Sequence, residues 1–199
     1  MNQSPQEQLM RPEDFDVFKR LRPDARMRES KAPLRHVNAI VSDFGGWGDT
    51  LRGLKAQIGT GMLVLLTGER TVGKTQMGVE LIRHMAGRDK GSRYTTLTRF
   101  LMDVKGSYRR DADKSEADII KMYRAYPLLV MDEISKTRGT EWEECLLYEL
   151  INSRYGDMTD TLLISNATVD QLKATGDSLL SRLQQTGGII QCGWGKVGG

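Results

Sequence analysis

Residues 62–75 read MLVLLTGERTVGKT, and this segment predicts the central element of the fold. Its apolar first half is long enough for a buried β-strand, and G-x-x-x-x-G-K-T, the spacing of a phosphate-binding P-loop, follows directly. Gly68 and Gly73 let the backbone curl so that successive N–H groups converge on a phosphate anion. Apolar residues at helical spacing come next. A hairpin or an ordinary β–α turn is the alternative, but the flanking segments favour a nucleoside triphosphate site.

The residues of the predicted loop have separate tasks. Lys74 is expected to reach the β- and γ-phosphates as a point charge, and the Thr75 hydroxyl to ligate Mg²⁺. The helix that should begin near Lys74 adds the positive end of its dipole to the phosphate site. The predicted nucleotide-contacting residues are those of the loop itself: Gly68, Glu69, Arg70, Thr71, Val72, Gly73, Lys74 and Thr75.

Composition and charge limit the class of protein. The chain has 199 residues, enough for one ordinary domain, with 28% charged and 39% hydrophobic residues, as in soluble globular proteins. A net charge of +3 permits contact with nucleic acid without arguing for it strongly. The two cysteines, Cys145 and Cys192, cannot by themselves form a disulfide framework or a zinc site, and only His36 and His84 are available to add to them, so a reducing cytoplasm is expected. Because signal-peptide and membrane-spanning patterns are missing, no membrane contact is expected.

A second motif, Leu128–Glu133, places two acids after four apolar residues. Such a run is typical of a central parallel strand, and acids at its carboxyl end emerge where ligands bind in open α/β sheets. Asp132 is expected to hold Mg²⁺, chiefly through water, and Glu133 to polarise the attacking water as general base. A strand ending in two exposed acids is the alternative, which the preceding P-loop disfavours. A water-activating glutamate also separates ATPases from small-molecule kinases.

Two further polar residues complete the predicted catalytic set of Lys74, Glu133, Asn166 and Arg182. Asn166 ends an apolar strand next to the second motif and is placed to hydrogen-bond the γ-phosphate and the attacking water; capping the following helix, 168–173, is the alternative. Arg182, taken alone, is a surface arginine. Beside the other motifs it resembles an arginine finger that completes the site of a neighbouring subunit. Such a finger implies self-association in a ring or a helical oligomer.

The N-terminal part of the chain differs in composition from the rest. Residues 1–36 are predicted to form a flexible basic arm, and residues 37–199 the P-loop domain. The arm is polar and contains several prolines, and a short helix between Glu13 and Leu21 would place Phe15, Phe18 and Leu21 on one face. A solvated, partly disordered arm and a partner-docking arm that folds on contact both fit this composition.

Helix ends and one basic loop give further expectations. The predicted helix caps are Asp49 or Thr50, then Thr98, then Ser115. The loop residues Tyr108, Arg109 and Arg110 have the composition that stacks a base and holds a phosphate, although a solvated loop is the alternative. The amphipathic helix over Glu141–Arg154 is predicted to bury Cys145. Arg154 is read as an ordinary C-terminal cation or as a subunit contact.

In chain order, the P-loop, Leu128–Glu133, Ser165–Asn166 and Ser178–Leu183 resemble the motifs of the AAA+ ATPases. More narrowly, LLVMDEI, an acidic helix ending in NSRY, and then ISN resemble the DnaC/DnaI helicase loaders and the related IstB transposition ATPases. The resemblance covers about residues 37–194. It implies an α/β P-loop NTPase fold with a five-stranded parallel sheet, the P-loop strand at its centre and helices on its faces. No C-terminal helical lid is expected, since the chain ends soon after its last predicted strand.

The same resemblance implies a function. It points to ATP and Mg²⁺ as cofactors and to weak ATP hydrolysis, stimulated by a partner or by DNA. The implied role is that of a helicase loader in DNA replication, which assembles on single-stranded DNA and delivers a replicative hexameric helicase of the DnaB type. The implied location is the cytoplasm of a bacterial cell or a phage-infected host. An IstB-like ATPase that regulates a transposase, and a nucleotide-switch adaptor that does not hydrolyse ATP, remain alternatives.

The chain departs from the loaders in three ways. They usually have glycine where Thr71 stands, so the geometry or the affinity of the loop is expected to differ. Their N-terminal helicase-binding domain is here reduced to the short arm, which leaves Phe15, Phe18 and Leu21 as the candidate helicase contacts. They often carry a second sensor arginine in the C-terminal tail, where Lys196 is the cation of this chain.

Overall fold

The computed structural model of this chain describes residues 24–39, 45–135, 140–173, 182–183 and 188–194. The predicted helix between Glu13 and Leu21, with its three apolar anchors, lies outside the described residues. So does Lys196.

The chain builds one sheet of five parallel strands. These are β1 (Leu63–Thr67), β2 (Ser92–Thr96), β3 (Leu128–Asp132), β4 (Asp160–Ile164) and β5 (Ile189–Gln191), in the order β2-β3-β4-β1-β5. Every residue of β1, β3 and β4 is buried, because these strands are covered on both faces and their apolar runs satisfy that environment. The predicted parallel sheet is therefore confirmed, but its middle strand is β4, and the P-loop strand β1 lies one place further toward β5.

Helices cover both faces of the sheet. They are α1 (residues 24–29), α2 (Leu34–Val37), α3 (Trp47–Gln57), α4 (Lys74–Ala86), α5 (Leu97–Gly106), α6 (Glu116–Arg124), α7 (Glu141–Gly156) and α8 (Val169–Lys173). Successive residues of β1 point to opposite faces, so Leu66 packs with Met77 of α4 whereas Leu65 packs with Phe100 of α5. In the described part of the chain, β5 is followed by residues up to Trp194 that form no helix. None of the helices described is long and apolar enough to cross a membrane.

Two of the predicted helix caps are wrong and one is confirmed. Helix α3 begins at Trp47 after Gly46, so Asp49 lies in its first turn rather than at its cap. Helix α5 begins immediately after β2, and its cap is Thr96, whose side chain accepts from the N–H of Arg99. Thr98, the predicted cap, is then an exposed residue inside the helix. Ser115 caps α6, as the sequence predicts, and the structure adds a full capping box with Asp118.

Arg154 is a buried structural residue, which contradicts both roles predicted for it. Its side chain has no solvent exposure. Its Nη1 donates to the carbonyls of Tyr123, Arg124 and Tyr126, each at 2.9 Å, while Nε and Nη2 reach Thr161 Oγ1 and Asp160 O. Arg154 thus satisfies the unpaired carbonyls at the end of α6 and joins them to the start of β4. Burial lowers the pKa of Arg154 to about 10.

Cys145 is exposed, so the prediction that it belongs to the core is wrong. The buried stripe of α7 runs through Leu146 and Leu150, four residues apart, with Trp142 partly buried one turn earlier. Cys145 precedes Leu146 by one position, a rotation of about 100° around the helix, which carries it off the stripe.

The described end of the predicted arm packs against the domain. Met27, Ser30 and Ala32 are buried, and the Ser30 carbonyl accepts from the N–H of Tyr94 in the edge strand β2 at 2.7 Å. Further along, His36 and Gln76 of α4 make a reciprocal pair, with His36 Nδ1 3.0 Å from Gln76 Oε1 and Gln76 Nε2 donating to His36 O at 3.0 Å. The boundary between residues 36 and 37 stays a prediction.

Candidate nucleotide-binding site

The loop between β1 and α4 has the backbone geometry that its glycines were expected to provide. Gly68 has φ +133° and Gly73 φ +81°, both in the region that side chains disfavour. Gly68 is also confined by packing, since a Cβ there would lie 2.7 Å from the Cys192 carbonyl oxygen beyond β5. The first glycine is therefore required twice, for its conformation and for the close approach of the chain after β5.

Lys74 begins α4 and turns its side chain back over the loop. Although charged, it is only 4% exposed. Its Nζ donates to Gly68 O at 2.8 Å and to Glu69 O at 2.5 Å. Burial lowers the pKa of the Lys74 ammonium, and the negative charge of Asp132 opposes that shift. The ammonium group therefore lies inside the curl of the loop, where a phosphate chain would bind.

Thr75 and Asp132 meet as the sequence predicts. Thr75 Oγ1 donates to Asp132 Oδ2 at 2.7 Å, and the other carboxylate oxygen accepts from the N–H of Glu133 at 2.7 Å. Asp132 is buried. One hydroxyl and one carboxylate side by side are hard oxygen ligands of the kind that Mg²⁺ binds together with substrate phosphates. The described residues contain no cluster of three or more His, Cys, Asp and Glu that could hold a metal without such help.

Tyr94 is a member of this site that sequence reasoning missed. Its hydroxyl donates to Asp132 Oδ2 at 2.9 Å, the same oxygen that accepts from Thr75. Burial and then the charge of Asp132 raise the pKa of Tyr94 far above its ordinary value, so the phenol remains a donor. The signal lies in the register: Thr96 is opposite Asp132 across the parallel pair, and Tyr94, two residues earlier, shares the face of Thr96.

Glu133 leaves β3 in a strained backbone conformation. Its φ is +58°, in the left-handed region that residues other than glycine rarely adopt. The chain returns to the sheet immediately, because the N–H of Ile134 donates to the Ile164 carbonyl of β4 at 3.1 Å. The half-buried carboxylate thus emerges at the carboxyl end of β3, directly after Asp132. Strain of this kind concentrates at functional sites.

Asn166 follows β4, which pairs with β3 through Met131 and Leu163 and so ends at the same edge of the sheet. The capping role that the sequence left open for Asn166 belongs to Thr168. Thr168 Oγ1 accepts from the N–H of Gln171 at 3.2 Å, and the Thr168 N–H donates to Gln171 Oε1 at 2.8 Å. Asn166 is therefore not the cap, and its sensor role stays a prediction.

Arg182 packs on helix α7 of its own chain. Its guanidinium lies 5.7 Å from the ring centroid of Tyr148 and 5.4 Å from that of Tyr155, and its Nη2 donates to the Tyr148 hydroxyl at 3.4 Å. Arg182 is half-buried in this arrangement. Its action in the site of a neighbouring subunit stays a prediction.

Neither the φ of Thr71 nor three hydrogen bonds to carbonyls of the loop were predicted from the sequence. Thr71 has φ +69°, which is unfavourable for a β-branched residue and explains why a glycine would suit this position. Its Oγ1 donates to Arg70 O at 2.6 Å. The indole N–H of Trp194 donates to Val72 O at 2.6 Å, and that of Trp47 to Gly73 O at 3.2 Å. Long-range contacts therefore hold the loop from outside.

The sheet order, the P-loop and the acids after β3 define the class: the chain has the fold of a P-loop NTPase of the AAA+ type. Solved structures with this fold include the DnaC helicase loader, with a TM-score of 0.67 and 16% identity over 80% of this chain and 99% of that one. DnaI matches with a TM-score of 0.62 and 16% identity, over 87% of this chain and 93% of that chain.

The replication initiator DnaA, solved with AMPPCP and single-stranded DNA, matches with a TM-score of 0.66 and 18% identity, over 79% of this chain and 49% of that one. The expected resemblance to the loaders and to AAA+ ATPases is thus confirmed at the level of the fold. No family model matches the chain.

A sequence relative comes from Mycobacterium tuberculosis and is named, provisionally, as an ATP-binding protein in an insertion sequence. It is 30% identical over 147 residues, which are 70% of this chain. The match spans 57% of the length of that relative. That relative is named as ATP-binding, and the DnaA structure contains AMPPCP.

Proposed function

We propose that this protein is an ATP-hydrolysing helicase loader of the DnaC/DnaI type. The observation that carries the hydrolytic part is the contact of Thr75 with Asp132 beside the curled loop, with Glu133 directly after it. The loading role is supported by the likeness to DnaC, which extends over 99% of that chain. The proposed location is the cytoplasm of a bacterial cell or a phage-infected host.

Each polar side chain at the site has a separate role in the proposed hydrolysis of ATP. The loop N–H groups and Lys74 bind the phosphates of ATP, and Thr75 with Asp132 would hold Mg²⁺, which supplies neutralisation of phosphate charge when bound. Tyr94 keeps Asp132 turned toward Thr75. Glu133 takes a proton from the attacking water, and Asn166 orients that water.

Arg182 is proposed to complete the site from a neighbouring subunit. A guanidinium brought to the transferring phosphate neutralises charge that develops in the transition state. The tyrosine rings of α7 that now hold Arg182 leave its charge in place, since cation–π contact does not neutralise it. Hydrolysis would therefore depend on assembly into an oligomer.

Single-stranded DNA is proposed to bind at the turn after α5. Tyr108 is 57% exposed there, and Arg109 and Arg110 beside it are exposed as well. An exposed aromatic ring with two guanidinium groups can stack on a base and bind its phosphates without reading sequence. The replicative hexameric helicase, the proposed second partner, would bind residues 1–36 through Phe15, Phe18 and Leu21.

One experiment tests the loading role directly. The tagged chain, with ATP and single-stranded DNA, should retain the replicative helicase of its native host and should hydrolyse ATP faster when that DNA is added. Deletion of residues 1–23, which leaves the packed segment from residue 24 in place, should abolish helicase retention but leave ATP binding intact. Failure to retain the helicase from the native host in the presence of ATP contradicts the loader proposal.

A transposition ATPase of the IstB type is the second candidate, because the curated relative belongs to an insertion sequence. Its expected partner is a transposase and its expected DNA is duplex. Binding of the chain to duplex and single-stranded oligonucleotides of equal length separates the two candidates. A preference for duplex DNA favours the transposition role, and a preference for single strands favours the loader.

A further inference from the structure

Two tryptophan side chains hold consecutive carbonyl groups of the P-loop. Trp194, beyond β5, donates its indole N–H to Val72 O at 2.6 Å, and Trp47, at the start of α3, donates to Gly73 O at 3.2 Å. Trp47 precedes the P-loop in the chain, and Trp194 is the last residue that the structure describes. Both donors come from segments outside the loop, whereas Lys74 donates to the carbonyls of Gly68 and Glu69 at its start.

Fixing these carbonyls also fixes the N–H groups that face a phosphate. In a planar trans peptide unit the C=O and the N–H point in opposite directions. The Val72 carbonyl shares its unit with the Gly73 N–H, and the Gly73 carbonyl shares its unit with the Lys74 N–H. A carbonyl that is bonded to an indole therefore turns the following N–H away from that indole.

The loop needs such support because one residue of it is strained. Thr71 has φ +69°, where its branched side chain crowds the backbone. The bond from Thr71 Oγ1 to the Arg70 carbonyl is local and does not tie the loop to the sheet. Without an external constraint, relaxation at Thr71 would rotate the neighbouring peptide units and misdirect their N–H groups.

Both tryptophans are themselves held in place. Trp47 is 3% exposed and belongs to the core on the α4 side of the sheet. Trp194 packs against the same core. It also lies close to Gly45, where an added Cβ would be 3.3 Å from the Trp194 Cβ. The two tryptophans that bond the loop are thus packed against the core of the fold rather than against other loop residues.

We propose that Trp194 and, to a lesser extent, Trp47 are positioning residues that hold the P-loop of this chain in its phosphate-binding form against the strain at Thr71. The proposal rests on the proposed nucleotide-binding function. The two contributions differ because Gly73 O also accepts from the N–H of Met77 at 2.9 Å, as the first bond of α4. Among the described residues, Trp194 is the donor that reaches Val72 O.

Because the two tryptophans are proposed to contribute unequally, variants of each can distinguish a positioning role from a packing role. Trp47 is the more deeply buried ring, so a purely structural account ranks Trp47→Phe as more harmful than Trp194→Phe in every assay. In the proposal, Trp47→Phe is also the more harmful variant for thermal unfolding, but Trp194→Phe is the more harmful variant for ATP affinity. Phenylalanine keeps most of the ring and removes the N–H donor in each case.

The test measures ATP dissociation constants by calorimetry for the full chain and its variants, with thermal unfolding in parallel. Trp194→Phe should weaken ATP binding about tenfold, the loss of one hydrogen bond, and Trp47→Phe by less. The matched control is Trp142→Phe on α7, whose ring centroid lies 4.9 Å from Lys105 Nζ. The Trp142→Phe variant should bind ATP with the affinity of the wild type. Adding Thr71→Gly to Trp194→Phe should recover most of the lost affinity, because glycine adopts the required φ without strain.

Each outcome has a distinct meaning. Wild-type affinity in Trp194→Phe, or a weakened affinity that Thr71→Gly does not restore, overturns the positioning role and leaves the proposed function standing. A wild-type chain that binds no ATP overturns the proposed function and this inference with it. Restoration of ATP affinity by Thr71→Gly supports the proposal, since added flexibility at residue 71 cannot repair lost packing around Trp194.

Discussion

Tyr94 donates a hydrogen bond to the same carboxylate oxygen of Asp132 that accepts from the magnesium-ligand candidate Thr75. This contact joins the edge strand β2 to the acid at the end of β3. Tyr94 also contacts the N-terminal segment, because its backbone N–H donates to the Ser30 carbonyl at 2.7 Å.

The first prediction concerns this hydroxyl group. Tyr94→Phe should raise the Mg²⁺ concentration needed for half-maximal ATP hydrolysis by about tenfold, because partners that orient a metal ligand commonly affect metal affinity to that extent. The ring remains, so the unfolding temperature should change little. Tyr126→Phe, outside this network, is the matched control. An unchanged Mg²⁺ requirement in Tyr94→Phe would show that Asp132 is oriented without it.

The second prediction concerns strain at Thr71. Thr71→Gly should stabilise the chain by about 0.5–1 kcal/mol, because relief of a left-handed β-branched residue exceeds the added chain entropy of glycine in the unfolded state. Urea unfolding measures the change. Thr71→Val keeps the strain and removes the hydroxyl, so it should give no gain. A loss of stability in the glycine variant contradicts the assigned strain.

A third prediction follows from the burial of Arg154. Arg154→Met should lower the free energy of unfolding by about 3–5 kcal/mol, since the variant leaves the carbonyls of α6 and β4 without their donor. Chemical denaturation of the purified variant checks this. Arg124→Met is the control: it removes an exposed cation paired with Asp157, an ion pair screened by solvent, and should cost far less than Arg154→Met. Equal losses in the free energy of unfolding for the two variants would contradict the structural role of Arg154.

The fourth prediction tests whether Arg182 acts between subunits. Arg182→Ala should leave the ATP dissociation constant unchanged and lower hydrolysis at least about tenfold, in line with losses of other transition-state contacts. Mixing Arg182→Ala with Glu133→Gln should restore part of the activity, because an intact base in one subunit can then meet an intact arginine from the other. Mixtures as inactive as their components would place Arg182 in its own subunit or outside the reaction.

Features that depend on residues close together in the chain could be predicted from the sequence. The P-loop, the acids after β3 and the cap at Ser115 each depend on residues close in the chain, so spacing was enough. The five-stranded parallel sheet was implied by the resemblance to the AAA+ ATPases. The cap of α5 was misplaced because β2 runs directly into that helix, and Thr96 serves both elements. A difference of two residues at such a junction is not visible in the apolar pattern.

Residues that act over long separations could not be found this way. Tyr94 joins the site through the register of β2 with β3, and Trp194 reaches Val72 across the order β1-β5. Arg154 is buried because the end of α6 brings three carbonyls to one point, which no feature of α7 itself predicts. In each case the information lies in how elements pack and not in either element alone.

In the proposed mechanism this chain hydrolyses ATP with Glu133 as the base, and single-turnover hydrolysis by Glu133→Gln measures the contribution of that base. The variant should bind ATP as the wild type does and lose hydrolysis by at least about 100-fold, the usual contribution of a general base. Glu144→Gln, an exposed residue of α7, should behave as the wild type. Hydrolysis that continues at the wild-type rate in Glu133→Gln would contradict the proposed mechanism.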